Sequence, residues 1–481
     1  MSRQDLIDPS DRLEIPARRR VLFNARDMML AALATPALPA LVSPAVAADA
    51  VSSVRVVHGF ADQQGITFWL QGDKAQSVNV EVRAAEGSGP SLQMHRVELD
   101  PRADCTATLR IAELDSGTAH RYTVHPAKGP AVLATGTFRT QVHWQYRTDP
   151  PTVRIATGSC AYLNDNKYDR PGKPYGGGEG IFDTIAATNP DLMLWLGDNI
   201  YLRDPEWTSR EGINRRYRFY RTHPSLRKLW SAAPNIAIWD DHDFGPDDSD
   251  ASFTNRIWTQ EMFRRYWPLP YAAPPDGLYG MVTQGDVDIF MLDDRSYRYP
   301  NGWADGPEKA MYGAMQMQWL KAALVYSRAP FKIIAGGNQF WNKASRWECW
   351  TTRYPDESQA FRRWLGEAKI PGVIFLSGDI HFARMLRIER PGTYPILELT
   401  TSPLTAGPIT DPGDEERSNP DMVPGTMYND RNFAMITVSG PRFARSIAIE
   451  LMDTQGARKW EWRATAQELG HPPPRPPRAA A

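Results

Sequence analysis

The strongest constraint on the fold of this chain is a pattern that recurs six times between Val153 and His381: a short apolar run that stops at a polar, mostly acidic cluster. Val153–Ala156 leads into Gly158-Ser159-Cys160, Leu192–Leu196 into Gly197-Asp198-Asn199-Ile200-Tyr201, and Ile236–Trp239 into Asp240-Asp241-His242-Asp243. Val287–Leu292 leads into Asp293-Asp294-Arg295, Lys332–Ala335 into Gly336-Gly337-Asn338-Gln339, and Val373–Leu376 into Ser377-Gly378-Asp379-Ile380-His381. Helical stretches separate these runs, at Ile181–Ala187, Glu211–Arg221, Thr259–Tyr266, Met315–Tyr326 and Glu357–Ala368. Strands alternating with helices predict an α/β domain. Such sheets place their sites at the carboxyl ends of the strands, where the acidic clusters fall.

At 481 residues the chain exceeds one ordinary core, so two folded domains are expected. Short β runs separated by turn residues occupy Val54–Val57, Ile66–Gln71, Val78–Arg83, Thr106–Ile111, Tyr122–His125 and Val132–Phe138. Their regular spacing predicts an N-terminal β-sandwich of fibronectin or immunoglobulin type over residues 49–145, a scaffold or lid. The stretch from Leu114 to Val124 is similar to the turn and strand that carry a tyrosine corner. After Asp149-Pro150-Pro151 the α/β pattern takes over, giving a catalytic domain over 150–465. The tail, 466–481, contains Pro472-Pro473-Pro474-Arg475-Pro476-Pro477 and is expected to be disordered or polyproline-like.

The first 48 residues have the layout of an export signal. Arg18-Arg19-Arg20 precedes an apolar stretch from Met28 to Val46, which ends in the small-x-small pattern Ala45-Val46-Ala47. Arg19-Arg20 is similar to a twin-arginine signal, which implies the twin-arginine export machinery as a partner. The expected location is therefore periplasmic or secreted, after cleavage near Ala47. A membrane anchor is the competing reading, but Pro36, Pro39 and Pro44 leave no uninterrupted run long enough to span.

A formal net charge of −1 gives no general basic field for nucleic acid or an anionic membrane. Cys105, Cys160 and Cys349 are too few for a disulfide framework; at most one pair can form. The 16 Trp fit core packing, though they can also line a cleft.

Taken singly, each strand-end residue has a structural explanation, since a strand-end Asp commonly caps the next helix. Collectively, one sheet edge that gathers several carboxylates repels itself without a cation, and a metal pair is the simplest stabiliser. The region holds few histidines (His223, His242 and His381, with His143 near its start), so a His-rich zinc pair is hard to assemble. Carboxylate and amide oxygens suit hard cations such as Ca²⁺, and a tyrosine phenolate suits ferric iron. His242 can protonate a leaving group or position phosphate, or merely orient a ligating carboxylate. Arg295 can neutralise phosphate, or pair with nearby Asp residues. Asn338 and Gln339 offer neutral oxygens.

Five of these blocks, in order, resemble the PhoD-like alkaline phosphatase/phosphodiesterase family: Gly158-Ser159-Cys160, Gly197–Tyr201, Trp239–Asp243, Leu292–Arg298 and Ser377–His381. Gln316-Met317-Gln318-Trp319-Leu320 is similar to the helix between the later blocks. The resemblance spans from about residue 50 to about residue 460 and implies a four-layer αββα metallophosphatase core behind an N-terminal sandwich. It implies Fe³⁺ at Cys160, Asp198 and Tyr201, Asp198 bridging to Ca²⁺, and Asp379 and His381 as further ligands. Asp247 stands where the family often has a ligating Asn. The expected activity is hydrolysis of phosphomonoesters or phosphodiesters by metal-activated water, with His242, Asp241 and Arg295 as catalytic candidates. Two other readings remain: a secreted binding protein with a degenerate phosphatase fold and a structural metal, and a redox centre, which leaves the many carboxylates unexplained.

Overall fold

The computed structural model of the chain describes residues 53–85, 93–164, 169, 172, 174–345 and 347–472. The expected export signal and the proline-rich run after Pro472 lie outside the described residues. No helix among the described residues is long and apolar enough to cross a membrane.

Seven strands form the N-terminal part: β1 (Val54–Ala61), β2 (Ile66–Gly72), β3 (Gln76–Ala84), β4 (Gln93–Leu99), β5 (Thr106–Ile111), β6 (Ala119–Pro126) and β7 (Ala134–Arg139). They make two antiparallel sheets, ordered β1-β2-β5 and β4-β3-β6-β7. Val78, Val80 and Val82 alternate along β3 with half-exposed polar residues, and share one apolar cluster with Phe68, Leu70 and Ile111 of the other sheet. Strand β4 gives little sequence signal because only Val97 and Leu99 are buried and its other side chains are polar or exposed. The Tyr122 hydroxyl meets Nε2 of His58 at 3.2 Å, whereas in a tyrosine corner it would bond a nearby backbone group.

The remaining strands are β8 (Val153–Gly158), β9 (Leu192–Leu196), β10 (Asn235–Ile238), β11 (Gly280–Gln284), β12 (Val287–Met291), β13 (Phe331–Ala335), β14 (Val373–Ser377), β15 (Arg384–Ile388), β16 (Ile396–Thr400), β17 (Asn432–Ser439), β18 (Ser446–Asp453) and β19 (Arg458–Thr465). One sheet runs β10-β9-β8-β17-β18-β19 and the other β11-β12-β13-β14-β16-β15. The strands β8, β9 and β10 are parallel, as are β12, β13, β14 and β16.

Burial on both faces explains why the strand runs are apolar throughout. In β9, Leu192, Leu194 and Leu196 join a cluster with Ile289, Ile333 and Ile374 of the second sheet, so the two sheets share a core. Met193 and Trp195 point the other way, onto the helices Gly180–Ala187, Arg210–Thr222 and Arg256–Tyr266 through Phe182, Ile213 and Met262. The helices Gly313–Tyr326 and Pro355–Glu367 cover the second sheet, where Leu320 and Phe361 pack on Phe290, Ile334 and Phe375. All five expected helices are present. Ala466 and Leu469 are buried in the core between the sheets, so packing continues to Leu469 rather than stopping at 465.

The N-terminal sheets are fastened to the α/β part by polar and aromatic contacts. The Trp69 indole donates to the Arg265 carbonyl at 2.8 Å, and Asp104 pairs with Arg218 at 2.7 Å. The Arg221 guanidinium sits 4.1 Å from the Trp267 ring centroid and 5.4 Å from that of Trp69. Most tryptophans serve packing in this way; Trp69, Trp195, Trp239 and Trp350 are among the largest fully buried side chains. All three cysteines are buried and unbridged, so Cys105 and Cys349 do not pair.

Candidate active site

The parallel strands of both sheets end at one place. Cys160, just past β8, has its Sγ 3.6 Å from Oδ2 of Asp198, which follows β9. The same sulfur lies 3.5 Å from the Asp379 carbonyl, beyond β14, and 3.1 Å from the Ser402 hydroxyl, beyond β16. Close approach of these loops requires glycine. A Cβ on Gly197 would fall 2.6 Å from that of Asp240, and Gly197 has φ +88°. A Cβ on Gly378 would fall 2.4 Å from the Ser159 hydroxyl.

Two groups of possible ligands form there. Cys160, Asp198 and His381 present donor atoms that lie within 4.8 Å of one another, and so do Asp198, Asp241 and His242. Asp198 belongs to both. Tyr201 adds its hydroxyl 3.2 Å from Nε2 of His381. The Gly407 carbonyl, 2.8 Å from Nδ1 of His381, can only accept; it fixes the proton on Nδ1 and leaves Nε2 as the basic nitrogen. Tyr175 places its hydroxyl 3.0 Å from the same Nδ1. Asp379 approaches the Asn338 amide, which also faces Asp240 at 3.3 Å.

The backbone is strained at the same residues. Cys160, Asp198, Asp379 and His381 all have positive φ, at 59°, 49°, 71° and 53°. Left-handed backbone at a non-glycine residue costs on the order of 1–3 kcal/mol, and it gathers where a site over-determines the geometry. Asp243 helps to hold the strain: its carboxylate accepts from the N–H groups of Asn199, Ile200 and Asp240.

Charge is concentrated in a dry setting. Burial, then the neighbouring Asp241, push the Asp198 and Asp379 carboxyls well above the usual range. Burial also raises the Cys160 thiol and the Tyr201 phenol, with the Asp198 charge adding to both. Asp241 goes the other way. Burial opposes its ionisation, but His242 and Arg295 hold it below the ordinary carboxylate range. A bound cation would favour the ionised form of every donor whose pKa burial and like charge have raised.

The other expected site residues are placed as follows. His242 is half-buried; its ring lies against Tyr201, tilted by 31° with centroids 4.3 Å apart. Asp247 joins neither ligand group: its side chain is 85% exposed and meets Nε2 of His242 at 3.6 Å. Arg295 is fully buried, with Nε on Asp240 at 2.7 Å, Nη2 on Glu348 at 2.9 Å and Nη1 on the Ser249 carbonyl at 3.0 Å. Of its two sequence readings, the geometry matches carboxylate pairing. Asp293 accepts from the Trp239 indole at 2.7 Å and from the Leu278 N–H at 2.7 Å, as a structural cap. Gln339 turns away from the cluster toward Arg384 and Asn342.

The family model for PhoD-like phosphatases matches residues 155–438, the segment that holds all of these strand ends. The chain belongs to the PhoD-like phosphatase family. It is a phosphoric ester hydrolase. Its fold is similar to that of the solved structure described as "Structure of PhoD", with a TM-score of 0.71 at 17% identity, covering 86% of this chain and 90% of that one. It is also similar to purple acid phosphatase PPD1 from yellow lupin (Lupinus luteus) seeds, with a TM-score of 0.62 at 11% identity, covering 89% of this chain and 78% of that one. At these identities both likenesses are of the fold alone. No curated protein matches the chain in sequence.

Sequence reasoning gave no role to Glu348, Tyr175 or Arg298, although Arg298 closes the block Leu292–Arg298. Glu348 pairs with both Arg295 and Arg298, and Arg298 donates to Asn338 at 3.1 Å. None of the three follows an apolar run directly, so the strand-end signal passes over them.

Proposed function

We propose that this chain hydrolyses phosphomonoesters, phosphodiesters or both, using water activated by a pair of bound metal ions. The observation that carries the reading is Asp198, one carboxylate shared by two close ligand groups. The donor set fits such a pair. Cys160, Asp198, Tyr201 and His381 offer thiolate, carboxylate, phenolate and imidazole on one side, a set suited to Fe³⁺. Asp198, Asp241 and Asp379 offer carboxylate oxygens on the other, suited to Ca²⁺, while the Asn338 NH2 group faces the Asp379 carboxylate. Asp247 would join the second group only if its turn moved inward.

When bound, the pair supplies positive charge opposite the phosphoryl oxygens and makes a nucleophile available from water near neutral pH. The protein supplies position and protons. His242, at the mouth, is placed to hand a proton to the leaving alcohol or to hold a phosphoryl oxygen. Asp247 faces that imidazole at 3.6 Å and can help to orient it. Arg295 acts at one remove by holding Asp240 and Glu348, while Asp243 ties the loop after β9 to the loop after β10. In this reading the two N-terminal sheets are a sandwich over residues 49–145 that serves as scaffold, and the domain over 150–465 has four layers, αββα. Export through the twin-arginine route would deliver the folded, metal-loaded chain.

Elemental analysis of the purified protein, followed by assays on p-nitrophenyl phosphate and bis(p-nitrophenyl) phosphate with and without a chelator, tests the reading. Expected are iron and calcium in the protein and turnover that chelation abolishes. Turnover that survives complete metal removal would overturn it, and metal without turnover of either ester would favour a binding protein with a structural ion. N-terminal sequencing of the exported protein is expected to begin after Ala47; retention of Met1 would overturn the export reading.

A further inference from the structure

A cavity with largely apolar walls and a cationic rim lies on the outer side of the β11–β16 sheet, away from the strand ends that hold the ligand groups. It is an open groove of about 600 Å³ between the helix Pro355–Glu367, the loop that follows β13 and the turn that follows β15. Its lining carries four cations, Lys343, Arg362, Arg363 and Arg390, against one carboxylate, Glu367. None of the four cations has a carboxylate partner among the described residues. Elsewhere on this chain exposed arginines are commonly paired, as in Arg96–Glu98, Arg417–Asp414 and Arg458–Glu461.

Two buried donors in this wall are also unsatisfied, one of them on Arg390 itself. Arg390 is only 8% exposed; its Nε donates to the Tyr394 carbonyl at 3.0 Å, while Nη1 has no partner. The Trp341 indole, buried in the same wall, has none for Nε1. Buried donors are costly to leave unpaired, and four like charges repel one another, so the arrangement suits a multiply charged acceptor. Guanidinium forks match phosphoryl oxygens in geometry, and a cavity of this size holds more than one phosphoryl group.

We propose that this cavity is a second anion site for phosphoryl groups, distinct from the metal-ligand cluster. The choice of phosphate over other anions rests on the phosphoesterase reading above. The ligand is either orthophosphate released by the reaction or a distal phosphoryl group of a longer substrate. Occupancy would be felt at the catalytic cluster through one loop, because Trp341 lies three residues after Asn338. Glu398 pins that loop by accepting from the backbone N–H groups of Phe340 and Trp341, each at 2.8 Å.

The test is the Arg362→Gln/Arg363→Gln double variant of the full chain, titrated calorimetrically with orthophosphate at constant ionic strength beside the wild type. Both arginines lie on the outer part of a helix, so the variant is expected to melt with the wild type. The wild type is expected to bind two phosphates per chain. In the variant the second site should weaken by about tenfold or more, since two charge-assisted hydrogen bonds are lost. Equal stoichiometry and affinity in both proteins would overturn the proposal. Turnover of p-nitrophenyl phosphate, read separately without added phosphate, is expected to be unchanged. Its absence from both proteins would sink the phosphoesterase reading and leave the binding result standing. Two further arms separate the sources. If free phosphate is the ligand, the variant loses part of its product inhibition; if a substrate chain is, its KM rises for oligothymidylate and not for the small ester.

Discussion

Glu348→Ala probes the buried charge lattice behind the catalytic cluster. Glu348 is almost fully buried and pairs with the guanidinium groups of Arg295 and Arg298. Arg295 retains Asp240 when Glu348 is removed, but Arg298 loses its one carboxylate partner among the described residues. Leaving a buried charge without its partner costs on the order of 3–5 kcal/mol. Unfolding entropy of about 2.1 cal/mol/K per residue, over the roughly 400 described residues, converts this loss into a fall in Tm of about 3–6 °C. Differential scanning calorimetry measures it. Because Arg298 also holds Asn338, ester turnover should fall along with stability.

Adding Arg298→Met tests the cause. With the orphaned charge gone, the double variant should lose less stability than the two single variants summed. The pH dependence has a definite sign. Burial opposes ionisation of Glu348, but Arg295 and Arg298 hold its folded pKa below the ordinary value. Its contribution is therefore complete above the unfolded pKa and is lost as pH falls through the folded one, and the variant should lack this part of the acid limb. A Tm within 1 °C of the wild type, or strictly additive losses, would refute the reasoning.

Other consequences follow from particular residues. Burial lowers the pKa of Lys332 from 10.5 to about 8, while its ammonium donates to the Ala329 and Pro371 carbonyls. The unfolded chain binds more protons between those values, so stability measured by urea titration should rise from pH 8 to pH 10.5, and Lys332→Met should flatten that rise. Gly197→Ala would drive a Cβ against Asp240 at a residue with φ +88°; turnover should fall by about tenfold or more through misplacement of Asp198, as read by steady-state assay. Cys160→Ser and Tyr201→Phe should each lower bound iron on elemental analysis and weaken any phenolate-to-iron absorption band. Zinc alone, unchanged in both variants, would contradict the mixed-metal assignment.

The sequence made the strand ends legible because burial on both faces leaves an unbroken apolar run, and each run stops at the polar cluster of the loop that follows it. Cys160, Asp198, Tyr201, Asp379 and His381 were readable for that reason, and the structure brings them together. Asp247 was not, because its placement depends on the turn at Gly245-Pro246 and on Asp248, whose φ is +57° and whose N–H caps Asp241. The burial of Arg295 is equally invisible in sequence, where an arginine beside two aspartates fits a surface ion pair as well as a core lattice. Strands β11 and β15–β19 escaped notice because no ligand block follows them. Glu348 and Tyr175 act from irregular loops, where periodicity carries no information.

Asp198→Ala tests the shared-carboxylate centre most directly. Folding is checked by circular dichroism, metal content by elemental analysis and turnover with both chromogenic esters. The expected result is a folded protein that has lost metal from both sites and hydrolysis of both esters. A folded variant that keeps both metals and wild-type turnover would contradict the central role of Asp198.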